Sequence, residues 1–460
     1  MNIKKRILSV LFWSVVSAAF IGPGTVTTAT KAGVHYNFRL LWALVFSTFA
    51  TLMLQEASAR LAITTKMNLG EAISKQFEGK SSRFFALFII IVAIILGCAA
   101  YEAGNILGAI AGLSLIFDIP TYYFVALIGI MAFLVFQLHS VHSIARVMGV
   151  IVFLMGAAFF TTSIMLKPDW GEVLHGSFVP TLPSGGGSGL LVLGLIGTTV
   201  IPYDLFLGSG ISDKSQSIGH MRFGLSFAII LGGIISMSIM GVGNAITEGW
   251  SEEARLNMVY SYDLLKNTLE LTTGKYAIYI FGFGMFAAGF SSAVTSPLAS
   301  AITAKSLFSN DTNKHLWSSK AFYFKLVSYG VLVIGLIFGF LQVKPIPAII
   351  VAQAFNGLIL PLIAAFLIYV INDINIMGKM YLNGWVSNIL MSVILWVTTV
   401  LGFTNIGKAV MKIIGIEIES ADKEFIIPVM ILGLIVTALA VIPVFYKRIK
   451  QEKMFTAQEQ

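Results

Sequence analysis

Runs of about twenty apolar residues recur along this chain from end to end, and what hydrocarbon permits decides how such a chain can fold. Backbone in lipid has to satisfy its own hydrogen bonds, so each run is expected to be helical. Hydrophobic residues make up 57% of the 460 and charged residues 11%, too little charge to coat a soluble protein of this length. The sequence therefore specifies an all-α integral membrane protein. Its apolar windows number about twelve. They cover 8–33, 38–62, 84–113, 121–138, 147–166, 189–210, 223–246, 276–304, 321–341, 346–371, 384–403 and 424–446.

The net charge of +8 does not call for a nucleic-acid partner, because the basic residues sit mostly in short loops between windows. They favour the side of the N-terminus, which predicts an even number of spans with both termini cytoplasmic. Met1-Asn2-Ile3-Lys4-Lys5-Arg6 opens a run that continues past a leader's apolar core, so it reads as a first span. Cys98, the single cysteine, reads as a small core residue and excludes an internal disulfide. Loops 167–188 and 247–275 fall outside in this topology, and neither is long enough for a soluble domain. No Walker-type glycine-rich loop is present, and no catalytic constellation suggests an enzyme.

The first window contains Ile21-Gly22-Pro23-Gly24-Thr25. Proline removes a backbone donor and clashes with the preceding turn, and the glycines add freedom, so two half-helices with unwound backbone between them are predicted. At membrane depth such backbone must be buried in protein or line a cavity, which makes the break a candidate binding site. Window 189–210 repeats the pattern with Gly197-Thr198-Thr199-Val200-Ile201-Pro202-Tyr203-Asp204. The breaks fall in windows one and six. Residues 8–166 and 189–371 thus read as two five-span repeats, with two additional spans over 384–446, all within one membrane domain over 1–460.

Ala19-Phe20-Ile21-Gly22-Pro23-Gly24 with Lys31-Ala32-Gly33 is followed by Leu54-Gln55-Glu56-Ala57-Ser58-Ala59-Arg60-Leu61 and Asn68-Leu69-Gly70-Glu71-Ala72. Further on come Lys167-Pro168-Asp169-Trp170, Ala287-Ala288-Gly289-Phe290-Ser291-Ser292, and Gln353 with Leu360-Pro361. In their order and spacing these segments resemble the Nramp (natural resistance-associated macrophage protein) divalent-metal transporters, over at least the first ten windows. The resemblance implies a leucine-transporter-type 5+5 inverted repeat with broken helices 1 and 6. It also implies alternating access, symport with protons, no cofactor and no obligatory protein partner; the partners are the transported ion or solute and the bilayer. The expected location is the bacterial plasma membrane.

The departures from the family pattern bear on chemistry. The family's Asp-Pro-Gly-Asn in the first span is represented by Gly22 and Thr25 at its two outer positions, and its Met-Pro-His in the sixth by Ile201 and Tyr203. Carboxylate, amide, thioether and imidazole are all replaced. Without sulfur or imidazole, ligand softness gives no preference for manganese, iron or cadmium. The expected substrate site comprises Gly22, Thr25, Thr199, Ile201, Tyr203, Asp204 and Gln353, with Thr25 and Asp204 as metal ligands. Asp204 reads equally as a half-helix cap or as a ligand and proton carrier. Glu102 reads as a coupling residue or a buried structural acid, and Gln353 as a substrate contact or a packing amide. Asn105 reads as an interhelical hydrogen bonder. Glu56 and Arg60, four apart, form a structural or gating pair. Thr27, Thr28 and Thr30 are open to lining a pathway or to bonding their own backbone. His35 follows the first window, and His139, His142, His175, His220 and His315 are expected in loops, with no ligand spacing.

These features favour a secondary transporter of a small divalent cation, a hard ion such as magnesium, or manganese. The alternatives are transport of an organic zwitterion or anion on the same fold, and a transport-inactive membrane sensor. The sensor is expected to bring a signalling segment that is not seen after the last window.

Overall fold

The computed structural model describes residues 3–79, 83–138, 141–183, 187–212, 215–309, 312–413 and 423–459. All regular structure among them is helical. In chain order the helices are α1 (Ile3–Phe20), α2 (Pro23–Tyr36), α3 (Leu41–Thr65), α4 (Leu69–Gln76), α5 (Arg83–Ile116), α6 (Thr121–Phe136), α7 (Val141–Met165), α8 (Trp170–Phe178), α9 (Ser188–Thr199) and α10 (Pro202–Ile211). The second half continues with α11 (Ile218–Ile246), α12 (Glu252–Leu256), α13 (Tyr262–Thr273), α14 (Lys275–Phe308), α15 (Phe322–Phe340), α16 (Pro345–Ile371), α17 (Ile374–Met377), α18 (Trp385–Ile413) and α19 (Lys423–Glu459). Every apolar window falls on a helix or a broken pair of helices. Among the described residues 8 helices, or up to 9 with the bent first pair, are long and apolar enough to cross a membrane. The two longer connecting segments are not plain loops: 167–188 carries α8, capped by the Asp169 carboxylate, and 247–275 carries α12 and α13, capped by Ser251 and Ser261.

Both breaks form where the prolines dictate. Pro23 and Pro202 each take the first helical position, where a missing N–H costs nothing, after an extended residue, Gly22 or Ile201. The first break bends the chain by 67° between 6–20 and 23–36, whereas 191–211 runs as a single span interrupted at Val200 and Ile201. α1 packs on α10 and α2 on α9. The first half of each broken helix thus meets the second half of the other, and the two run past each other in opposite directions.

Small residues bring the central helices close. α5 and α14 form the most extensive pairing, and a Cβ on Gly289 would sit 2.5 Å from the Ala109 backbone nitrogen. In lipid, helix association rests on such close backbone packing rather than on a hydrophobic drive. α19 does the opposite, turning Leu434 and Leu439 outward at 57% and 71% exposure, as a helix facing hydrocarbon does.

Candidate functional site

A broken helix frees carbonyls that must find donors, and here hydroxyl side chains supply them. At the end of α1, Ser292 donates to Ala18 O at 3.1 Å, Tyr203 to Ala19 O at 3.2 Å and Thr25 to Phe20 O at 2.6 Å. Thr25 also reaches Thr198 O at 3.4 Å, so with the Tyr203 bond the two breaks are stitched together across their gap, and Thr51 on α3 donates to Thr199 O at 3.2 Å. Each carbonyl left unpaired would cost about 1–3 kcal/mol. Gly22 is held by space rather than by dihedral: a Cβ there would lie 2.8 Å from Ser292 Oγ and 3.5 Å from Asn105 Oδ1.

Beside this stitched backbone lies a group of buried oxygens short of hydrogen-bond partners. Asp204, in the first turn of α10, is 1% exposed, and among the described residues the Gln55 amide is the one hydrogen-bonding neighbour its carboxyl group meets. It is not the cap, since the position before Pro202 is Ile201 and no side chain caps this helix. Gln55 stands alongside: it acts on the Asp204 carboxylate, and its Oε1, unpartnered, lies 2.3 Å from where a Cβ on Gly208 would be. Glu102 on α5 is fully buried; its Oε2 accepts from Asn105 Nδ2 at 3.4 Å and its Oε1 is unbonded. The Tyr203 ring packs edge-on against Tyr101 with centroids 5.7 Å apart, in electrostatic reach of both Asp204 and Glu102. Buried carboxyl oxygens short of donors are costly, and a cation is the partner that relieves two of them at once. Among the described residues no three of His, Cys, Asp and Glu gather as a metal cluster, so any cation here relies on amide, hydroxyl and carbonyl oxygens besides carboxylate.

The two ends of the bundle are tied differently. At the end bearing α12 and α13, Thr27 pairs with the Tyr262 hydroxyl at 2.8 Å, Thr247 donates to Val34 O at 2.8 Å, and Arg255 bonds Asn37. Burial pushes the Tyr262 hydroxyl up to about 12, which keeps it protonated. At the other end Arg60 bonds Glu56 at 3.1 Å, Tyr381 O at 2.6 Å and Asn383 Oδ1 at 2.7 Å. Arg222 adds a second cation to Glu56 at 2.8 Å. Asp373 accepts from Gln76, Gln451 and Lys447; burial pushes its carboxyl up, but these bonds prevail and hold it below the usual range.

The structure thus gathers Gly22, Thr25, Thr199, Ile201, Tyr203 and Asp204 at the paired breaks, with Glu102 beside them. Thr199 spends its hydroxyl on Leu195 O at 2.9 Å, within its own helix. Gln353 lies on α16, but its side chain falls outside the described residues. Gln55 and Ser292 were not singled out by sequence; each stood inside a family-like segment, which was the available signal. The expectation that five histidines lie in loops is corrected for three of them: His142 and His220 lie on α7 and α11, whose polar first turns extend beyond their apolar windows, and His175 lies on the short helix α8; His35, expected just after the first window, is in the last turn of α2. His315 sits in a short 3₁₀ turn and His139 falls outside the described residues.

Comparison with known proteins bears on this geometry. The chain is 27% identical over 296 residues to the divalent metal cation transporter MntH of Erwinia tasmaniensis, covering 62% of this chain and 69% of that one. It is 29% identical over 304 residues to the metal transporter Nramp3 of Oryza sativa, of which it spans only 54%. Its fold matches the crystal structure of the Eremococcus coleocola manganese transporter with a TM-score of 0.73 at 18% identity, over 98% of this chain and 97% of that one. The model of the natural resistance-associated macrophage protein-like family matches residues 14–408, and the chain belongs to the Nramp family.

Proposed function

We propose that this protein is a secondary transporter of a small divalent cation, working by alternating access between the latched ends of the bundle. The observation that carries the reading is the Asp204 carboxyl group, buried beside the paired breaks with only the Gln55 amide as a polar partner and no basic residue bonded to it. An intramembrane acid in that state is functional by default, and a cation is its natural counterpart. The divalent metal transport named for the relatives supports the charge class. The donors at hand are all oxygen, with Gln55 and Tyr203 beside Asp204, Glu102 in reach of Tyr203, and Thr25 at the facing break, which suits a hard, partly hydrated ion such as magnesium, or manganese. Glu102, half-bonded and close by, is the proton-coupling residue of this reading. Arg60 and Glu56 serve as the gate at the cytoplasmic end, with both termini on that side of a plasma membrane. The two five-span halves act as inverted repeats around the site.

The test is flux into proteoliposomes of the purified chain, with magnesium, manganese and calcium, each with and without a pH gradient. Cation uptake that Asp204→Asn abolishes is the expected result. Absence of both flux and calorimetric heat with every cation would sink the proposal, and flux indifferent to the gradient would remove Glu102 from its role.

A further inference from the structure

On the side of the N-terminus, away from the breaks, α1, α7 and α11 line an open recess of about 350 Å³ at the surface. Its polar wall is made by Ser9, His142, Arg146, Gln216 and His220, and none of the described residues lining it is acidic. Arg146 forms no ion pair among the described residues, in contrast to the nearby Arg222, which is engaged by Glu56. The first turns of α7 and α11 both contribute, through His142 and His220, so the positive ends of two helices converge on the space that already holds the guanidinium. The wall is braced: the His142 ring stacks on Phe12 with centroids 5.0 Å apart, and Ser9 donates to His220 O at 3.2 Å.

The rim is apolar. Ile7 and Leu8 on α1 are 54% and 46% exposed, and Phe223 and Phe227 continue an exposed apolar face along α11. Arg6 lies over the Phe223 ring, 5.3 Å from its centroid, placing a further cation at the same level. A cationic recess opening onto a hydrocarbon-facing surface is shaped for a ligand with an anionic head and apolar tails. A soluble anion would gain nothing from that rim.

We infer that this recess is a binding site for the phosphate headgroup of an anionic phospholipid, seated between the first half of the broken helix and its two neighbours. Arg146 and the two imidazoles hold the phosphate oxygens, and the acyl chains lie along Ile7, Leu8 and the α11 face. Because α1 forms one wall, the lipid clamps the first half of the broken helix to α7 and α11. The site rests on the membrane reading alone and stands whether or not the transported cargo is a metal.

The experiment uses the full chain and phosphatidylglycerol, with phosphatidylcholine of the same acyl chains and inorganic phosphate as the other arms. Native mass spectrometry is expected to show phosphatidylglycerol retained over phosphatidylcholine, a preference that falls with added salt. Arg146→Gln should weaken the preference by about fivefold, the amount expected for one interfacial cation, and His142→Gln and His220→Gln should each weaken it less. Arg39→Gln, at the opposite end and paired with Glu252, should leave it unchanged. The melting temperature in phosphatidylcholine nanodiscs checks that each variant is folded, and the salt dependence of the unmodified protein tests the site without any substitution. An undiminished preference in all three variants would overturn the site, as would a preference that ignores salt. Equal stabilisation by inorganic phosphate would overturn the lipid as its occupant.

Discussion

The two broken helices share a backbone plan and differ in chemistry. Each second half starts on a proline after an extended residue, and each break places its freed carbonyls against hydroxyl donors. Yet the first break carries no ionisable group: Gly22 occupies the place beside Ser292 and Asn105, and Thr25 spends its proton on Phe20 O. The second carries Asp204, a buried acid met only by the Gln55 amide. The 67° bend belongs to the break without charge. The sharp bend and the ionisable group are thus divided between the two breaks.

The largest expected effect comes from removing the charge. Asp204→Asn should reduce cation flux and calorimetric cation binding to background, and it should leave the melting temperature unchanged or raised, because the isosteric amide still meets Gln55 and is cheaper to bury than a carboxylate. A fall in melting temperature together with unchanged flux would mean that Asp204 is structural and that the contrast between the breaks is empty.

The next effect tests whether location matters as much as charge. Gly22→Asp forces its Cβ against Ser292 Oγ, 2.8 Å away, and should cost about 1–3 kcal/mol of stability from overpacking. Ser292→Ala leaves ordinary contacts of 3.4 Å to its Cβ and 3.5 Å to Asn105 Oδ1, so the double variant should recover much of that loss in a melting experiment, though Ala18 O then relies on Ser291 at 3.4 Å. Placed in the Asp204→Asn background, the pair should restore measurable cation binding. If binding stays absent while the protein is folded, the carboxylate is needed on the second helix specifically.

Much of this arrangement was readable in the chain. Proline and glycine inside apolar windows announce a break whatever surrounds them, and an aspartate after Pro202 in such a window is expensive enough to stand out. The hydroxyls were harder to read. Serines and threonines in apolar helices usually bond their own backbone, as Thr199 does, and nothing local distinguishes Ser292, whose acceptor Ala18 O lies 274 residues away. Thr25 and Tyr203 stood out as ligands, but the structure first gives them the work of satisfying α1. Arg60 pairs with Glu56 at the helical spacing the sequence offers, whereas its bond to Asn383, 323 residues on, is a product of the fold alone.

The stitching itself yields the smaller effects. Thr25→Val keeps the shape but leaves Phe20 O without its 2.6 Å donor and should destabilise by about 1–3 kcal/mol. Tyr203→Phe removes a longer bond, 3.2 Å to Ala19 O, and should cost about 1 kcal/mol. The two acceptors are consecutive carbonyls at the end of α1, so loss of one donor lets that end relax and weakens the hold of the other. A double-mutant cycle on melting free energies should therefore give a coupling of about 0.5 kcal/mol or more, whereas independent sites would add within that figure. Additive losses would mean that each hydroxyl merely caps its own carbonyl. A clear coupling would mean that the unwound end of α1 is held as one unit by the second break, leaving the helix with the bend dependent for its shape on the helix with the charge.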